Sequence, residues 1–188
     1  MAYFQKQDAR NAAGRYRTQP GRSWKSADQI LREQFRAASD YDRFDVFLSH
    51  SSRDAELILG VKAILEEIGM KVYVDWIDDA HLDRSQVTRE TAELLRRRMR
   101  QSNSLIWVAT DAASQSKWMP WELGYFDGFR QSHVAILPLV DAANQSFHGQ
   151  EYLALYPLVE PDRVGSYLSG AFVNDRGREV KNLRSFTL

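Results

Sequence analysis

From Phe44 onward the chain alternates short apolar runs with longer stretches of helical periodicity, and this alternation limits the available folds more than any other feature. FDVFLSH, rich in β-branched and aromatic residues, reads as a buried strand. After SSRD, the apolar positions Leu57, Val61, Ile64, Leu65 and Ile68 recur at helical spacing, and Gly69 stands where a C-terminal cap is expected. KVYVDW is a second strand and IDDAHLDRSQ a polar, acidic loop. VTRETAELLRRRMRQS is a second helix, SLIWVAT a third strand and DAASQSK a loop. WELGYFDGFRQ forms a further helix, with Pro120 in the first turn, where proline is tolerated. HVAILPLV is the fourth strand and YLALYPLV the fifth. Strands alternating with helices predict an α/β fold, a central parallel five-stranded sheet with helices on both faces. Such sheets bind ligands beyond the C-terminal ends of their strands. HSSRD, DWIDDAHLDRS and TDAASQSKW all fall on that edge.

The ends of the chain read differently. Residues 1–42 form an N-terminal extension with one short helix, SADQILREQFRAAS, whose Ile30, Leu31, Gln34 and Phe35 make one face and whose cap is Ser26 or Asp28. Residues 1–23 are polar and show no sustained period. The main domain covers residues 43–160. Residues 161–188 form a C-terminal extension packed on it, either a hairpin turning at Asp175–Gly177 or a strand-like arm.

Charge and composition exclude several classes of function. Lysine plus arginine equal aspartate plus glutamate at 25 each, so no overall field recruits nucleic acid or an anionic membrane. The local run Arg96, Arg97, Arg98, Arg100 fits a solvated helix face or, alternatively, an anion or partner site. The absence of cysteine removes thiol catalysis, disulfides and thiolate metal sites. The N-terminus lacks the apolar core of a signal peptide, and no segment approaches the roughly 20 apolar residues that span a bilayer. A cytoplasmic protein without nucleic-acid or membrane partners is the expectation.

No GxGxxG or GxxxxGK[ST] follows a strand, and no GxSxG occurs. His50, His81, His133 and His148 are scattered, and the aspartates of DWIDDAHLD do not match a calcium loop, so no metal is expected. What remains is SKWMPWELG, where Trp118 and Glu122 stand four apart as a helix begins. Two readings fit: a carboxylate complementing the helix dipole beside core aromatics, or an active-site carboxylate.

FDVFLSHSSRD, ILEEIGMKVYVDW and SLIWVATDAASQSKWMPWELG, in that order and spacing, resemble the TIR (Toll/interleukin receptor) domain in its bacterial form, over roughly residues 43–160. The matching elements are Asp45 to Ser49, Asp75 with the loop to Ser85, and Ser116–Trp118–Glu122. The resemblance implies a flavodoxin-like fold and one of two working modes. Some members are adaptors that recruit other TIR domains. Others cleave the nicotinamide–ribose bond of NAD to give ADP-ribose or cyclic ADP-ribose isomers, several of them in antiphage defence, including the Thoeris type. For the enzymes it implies NAD as substrate with no cofactor, Glu122 as the essential carboxylate and Trp118 as a stacking ring. It places His50 and Ser51 near the substrate, and Asp75 and Trp76 at the start of a mobile loop. Asp79 and Asp83 read as loop solvation, Arg84 as a surface or phosphate contact, and Trp121 and Phe126 as core. It also implies self-association, with a neighbouring loop completing the site, and a separate effector that senses the product.

The chemistry is consistent with one carboxylate. Nicotinamide leaves the cationic ring as a neutral molecule and needs no general acid, whereas positive charge develops on the ribose as in glycoside hydrolysis. A glutamate facing that charge supplies the main stabilisation. Hydrolysis and cyclisation stay equally open. The competing readings are a TIR–TIR adaptor, using residues 76–86 and the arginine-rich helix, and a nucleoside-processing enzyme with Glu122 as nucleophile.

Overall fold

The apolar runs become neighbouring strands because each is too hydrophobic to leave either face in water. The computed structural model describes residues 2–22, 24–76, 88–142, 144–165 and 167–188. Its strands are β1 (Phe4–Gln5), β2 (Phe44–Ser49), β3 (Val72–Val74), β4 (Ser102–Ala109), β5 (Val134–Val140), β6 (Leu158–Val164), β7 (Tyr167–Asn174) and β8 (Val180–Asn182). Its α-helices are α1 (Lys6–Arg17), α2 (Ala27–Ala37), α3 (Ala55–Glu67), α4 (Arg89–Arg100), α5 (Trp118–Phe129) and α6 (Leu183–Phe186).

The sheet runs β3-β2-β4-β5-β6-β7-β8. The first five strands in that order are parallel, as predicted, while β7 and β8 add antiparallel at one edge. β1 pairs in parallel with the last residues of β5, Phe4 beside Leu139. Within the central strands successive side chains serve opposite cores. Val46, Leu48, Ile106 and Val108 pack on the side of α1 and α3, and Phe47, Leu105 and Trp107 on the side of α4 and α5.

Three sequence expectations are corrected. The N-terminal segment holds two helices rather than one short one. α1 escapes a search for large apolar residues because its buried stripe is Ala9, Ala12, Ala13 and Tyr16, mostly methyl groups. Those alanines let α1 lie close on α3 at Gly60, where any Cβ would run into the Ala9 carbonyl. The fifth parallel strand is Leu158–Val164, which shares only Leu158 and Val159 with YLALYPLV; residues 152–155 of that run lie in the 3₁₀ turn Glu151–Leu155. Pro157 separates the two, and Tyr152 meets Trp107 edge-on at 6.3 Å. The sheet also exceeds five strands, because residues 158–182 form two successive antiparallel hairpins beyond the parallel set.

Other expectations hold. α2 is capped by Ser26, whose hydroxyl accepts from the Gln29 N–H at 3.1 Å. Gly69 ends α3 at φ 86°, the left-handed conformation its lack of a Cβ permits. The C-terminal hairpin turns at Asp175–Gly177, with Gly177 at φ 83° and its N–H donating to Asn174 Oδ1 at 2.8 Å. Leu183 and Phe186 of α6 then return to the core.

Candidate active site

The C-terminal ends of β2, β3 and β4 converge on one edge of the sheet. β2 ends in Ser49 and continues into His50 and Ser51, all buried. β3 is followed by Asp75 and Trp76, also buried. After β4 the chain makes a 3₁₀ turn at Ala113–Gln115 and enters α5 at Trp118.

Glu122 bears directly on the two readings of its stretch. It is only 5% exposed, and its Oε2 accepts a hydrogen bond from Ser49 Oγ at 2.6 Å, across to β2. α5 has no acidic residue in its first turn, and the N–H of Met119 is instead served by Ser116 Oγ at 3.3 Å. The carboxylate therefore points at the strand edge and does not cap its own helix. Burial makes this meaningful, because a carboxylate is rarely withdrawn from water unless it is paired or hydrogen-bonded.

His50 is held on two sides. Its Nδ1 lies 2.8 Å from the Leu48 carbonyl, which can only accept, so Nδ1 carries the proton there. Its ring stacks on Trp76 with centroids 5.2 Å apart and planes within 5°. Trp76 is itself 4% exposed and stands behind His50, its indole N–H donating to Asp28 Oδ1 at 2.9 Å. Ser51 Oγ accepts from the Arg53 N–H at the long limit of 3.5 Å and so caps the 3₁₀ turn Ser52–Asp54.

Trp118 is half-buried and meets Trp121 edge-on at 5.4 Å. With Ser51, Arg53, Gln115 and Lys117 it lines a cleft of about 230 Å³ between the loop after β2 and the loop before α5. The two loops are tied by the Arg53–Gln115 contact and by Thr110 Oγ1 donating to Asp54 Oδ2 at 2.5 Å. Trp121 is half-buried against the core, stacked on Tyr125 and covered by the Arg96 guanidinium, while Phe126 is fully buried. Arg98 turns inward, donating to the Ala38 and Ser39 carbonyls, so the arginine run is not one uniform solvated face.

Tyr73, on β3, senses both acids of the edge. Burial pushes its phenol well above the usual range, the Asp75 charge pushes it further, and Glu122 adds to the same direction. Glu122, Ser49, His50, Ser51 and Trp118 thus lie at the end of β2 and the start of α5, with Asp75 and Trp76 just past the neighbouring strand β3. Asp79, His81, Asp83 and Arg84 lie outside the described residues. The sequence names Ser49 only as the end of the first motif element and not as a site residue; its signal is a hydroxyl at the C-terminal end of β2.

The protein is an α/β domain, a mostly parallel sheet with a buried, hydroxyl-bound glutamate at the C-terminal edge of its strands. Residues 46–161 match the TIR domain, and the chain belongs to that family, whose fold is flavodoxin-like. Among individual proteins it is similar to the probable 3' cyclic ADP-D-ribose synthase ThsB' of Bacillus cereus (strain MSX-D12), with 48% identity over 156 residues, 82% of this chain and 76% of that protein. It is also similar to the putative cyclic ADP-D-ribose synthase TIR2 of Cytobacillus dafuensis, with 34% identity over 83 residues, 44% of this chain and 22% of that protein. Among the described residues no helix is long and apolar enough to cross a membrane.

Proposed function

We propose that this protein cleaves the nicotinamide–ribose bond of NAD and closes the remaining ADP-ribose into a cyclic isomer that serves as a signal in antiphage defence. The observation that carries the proposal is the buried Glu122 carboxylate held by Ser49 at the ligand edge of the sheet. As the C1'–N bond breaks, nicotinamide departs neutral with the bonding electrons and the ribose becomes positive. A carboxylate already withdrawn from water and oriented by a hydroxyl opposes that charge without reorganising. Trp118 offers a face for a ring of the dinucleotide, and Arg53 and Lys117 supply cationic groups suited to its pyrophosphate.

Cyclisation is favoured over hydrolysis by the names of both relatives. In cyclisation a hydroxyl of ADP-ribose itself bonds to C1' and loses its proton; in hydrolysis water does so. Assembly of several copies and a separate product-sensing effector belong to the same proposal.

The test is incubation of the purified protein with NAD, wild type beside Glu122→Gln, with nicotinamide and ADP-ribose species followed by chromatography and mass spectrometry. The expected outcome is nicotinamide release together with a product lighter than ADP-ribose by one water. Both should fall by at least about 100-fold in the mutant, the loss typical for a preorganised charge-stabilising group. No turnover, even at high protein concentration or with phage-infected lysate, would return the protein to the adaptor reading.

A further inference from the structure

The N-terminal helix α2 lies outside the matched TIR segment, yet one of its side chains reaches the site edge. We infer that Asp28 is a positioning residue of the active site, holding Trp76 and, through it, the His50 ring. The inference rests on the proposed NAD-cleaving site.

The geometry is a short relay. Asp28 Oδ1 accepts the Trp76 indole N–H at 2.9 Å, while Oδ2 holds Arg32 Nε at 2.9 Å one turn along the same helix. The carboxylate is therefore held at two points, the indole and Arg32. The α2 backbone behind it is fixed as well, by the reciprocal capping of Ser26 and Gln29 and by the buried Ile30 and Leu31. An indole held at Nε1 and stacked over its face loses rotation about both side-chain torsions. The face it presents is parallel to His50 within 5°. His50 is pinned at Nδ1 by the Leu48 carbonyl, so the stack sets the remaining freedom of the ring, its tilt. His50 follows Ser49, the donor to Glu122, directly in the chain. A shift of Trp76 is therefore delivered to His50 and, through the backbone, to its chain neighbour Ser49, which orients Glu122; small misplacements of that kind are what positioning effects on rate respond to.

Asp28 touches neither Glu122 nor the cleft at Trp118, so its effect on catalysis passes through the two rings. This separates it from a residue that only stabilises α2. Arg32→Gln removes the ion pair and keeps the indole bond; Asp28→Asn keeps an oxygen for the indole and loses the charge. Asp28→Ala removes both.

The experiment measures NAD kinetics and unfolding midpoints for the wild type and these three variants of the full chain. It adds ¹H–¹⁵N spectra in which Trp76→Phe assigns the Trp76 indole signal and His50→Gln the His50 ring signals. Asp28→Ala is expected to lower kcat/KM about tenfold, the equivalent of one lost hydrogen bond to a charged group. Asp28→Asn should recover most of that loss, and Arg32→Gln should stay within about twofold. The indole and His50 signals should move in Asp28→Ala alone. Unchanged kcat/KM in a folded Asp28→Ala protein would overturn the inference, as would an equal loss in Arg32→Gln. Should the wild type not cleave NAD, the proposed function fails separately. The relay is then judged by the His50 signals, and their indifference to Asp28→Ala would overturn it.

Discussion

Ser49 and Glu122 are 73 positions apart in the chain, yet their side chains meet at 2.6 Å in a region closed to solvent. A hydroxyl donating to a buried carboxylate does two things: it offsets part of the desolvation penalty and it fixes which way the oxygens face. Hydrogen bonds to charged groups contribute about 1.5–3 kcal/mol. Ser49→Ala is therefore expected to lower kcat/KM for NAD by roughly 10–100-fold. The unfolding midpoint should fall as well, because the buried carboxylate loses one of the groups that offset its desolvation. Steady-state kinetics beside a thermal melt checks this, and full activity in the mutant would mean that other contacts orient Glu122. The sequence displayed Trp118, Glu122, His50 and Asp75 as candidates through motif and position. It did not display Ser49 as Glu122's partner, since local spacing carries no information about a contact across two elements.

Helix α3 shows how neighbouring elements change the meaning of a residue. Residues Leu57 to Leu65 are all buried, including Gly60 and Lys62, because α1 and α2 cover the face that a surface helix would give to water. Burial pushes the Lys62 amine down, against the opposing pull of Glu66, its partner one turn on. Gly60 is where α1 comes closest. In an isolated helix, glycine to alanine gains about 1 kcal/mol. Here the added methyl meets the Ala9 carbonyl, a backbone group that cannot rotate away, and overpacking of that kind costs about 1–3 kcal/mol. The clash outweighs the propensity. Gly60→Ala is expected to lower the unfolding midpoint by a few degrees, at about 2–4 °C per kcal/mol for a chain of this size. A calorimetric scan showing a rise would mean that α1 can shift outward freely.

Across the whole molecule the N-terminal segment is stitched to the site edge at both of its ends. Asp28 reaches Trp76 from α2, and Lys6 at the start of α1 reaches Asp111 after β4 at 2.8 Å and Asp141 after β5 at 2.9 Å. The hydrogen bond to Asp111 chiefly raises the Lys6 amine above its usual 10.5, against the opposing effect of burial. A raised lysine contributes stability that is fully present below its unfolded value and is lost as pH rises through its folded one. Lys6→Met should therefore melt lower than the wild type at pH 7, by an amount equivalent to about 1 kcal/mol because both aspartates are largely exposed. The difference should shrink as pH climbs past about 10.5. A gap that persists at high pH would assign the effect of Lys6 to packing and not to charge.

By itself the sequence determined the order of strands and helices from β2 to β5 and the family, and it narrowed the C-terminal segment to a hairpin turning at Asp175–Gly177 or a strand-like arm. All of these are written in periodicity, turn residues and motif spacing, which act over a few positions at a time. Only the tertiary structure decided that the alanine stripe of residues 9–13 is a helix interface, that β6 begins after Pro157, that Trp76 hangs from Asp28, and that Glu122 is bound across to β2 instead of capping α5. Each of those outcomes depends on which surface arrives opposite a residue once the chain has closed. An alanine, an aspartate or a glutamate looks the same in the chain whether water or another element will face it.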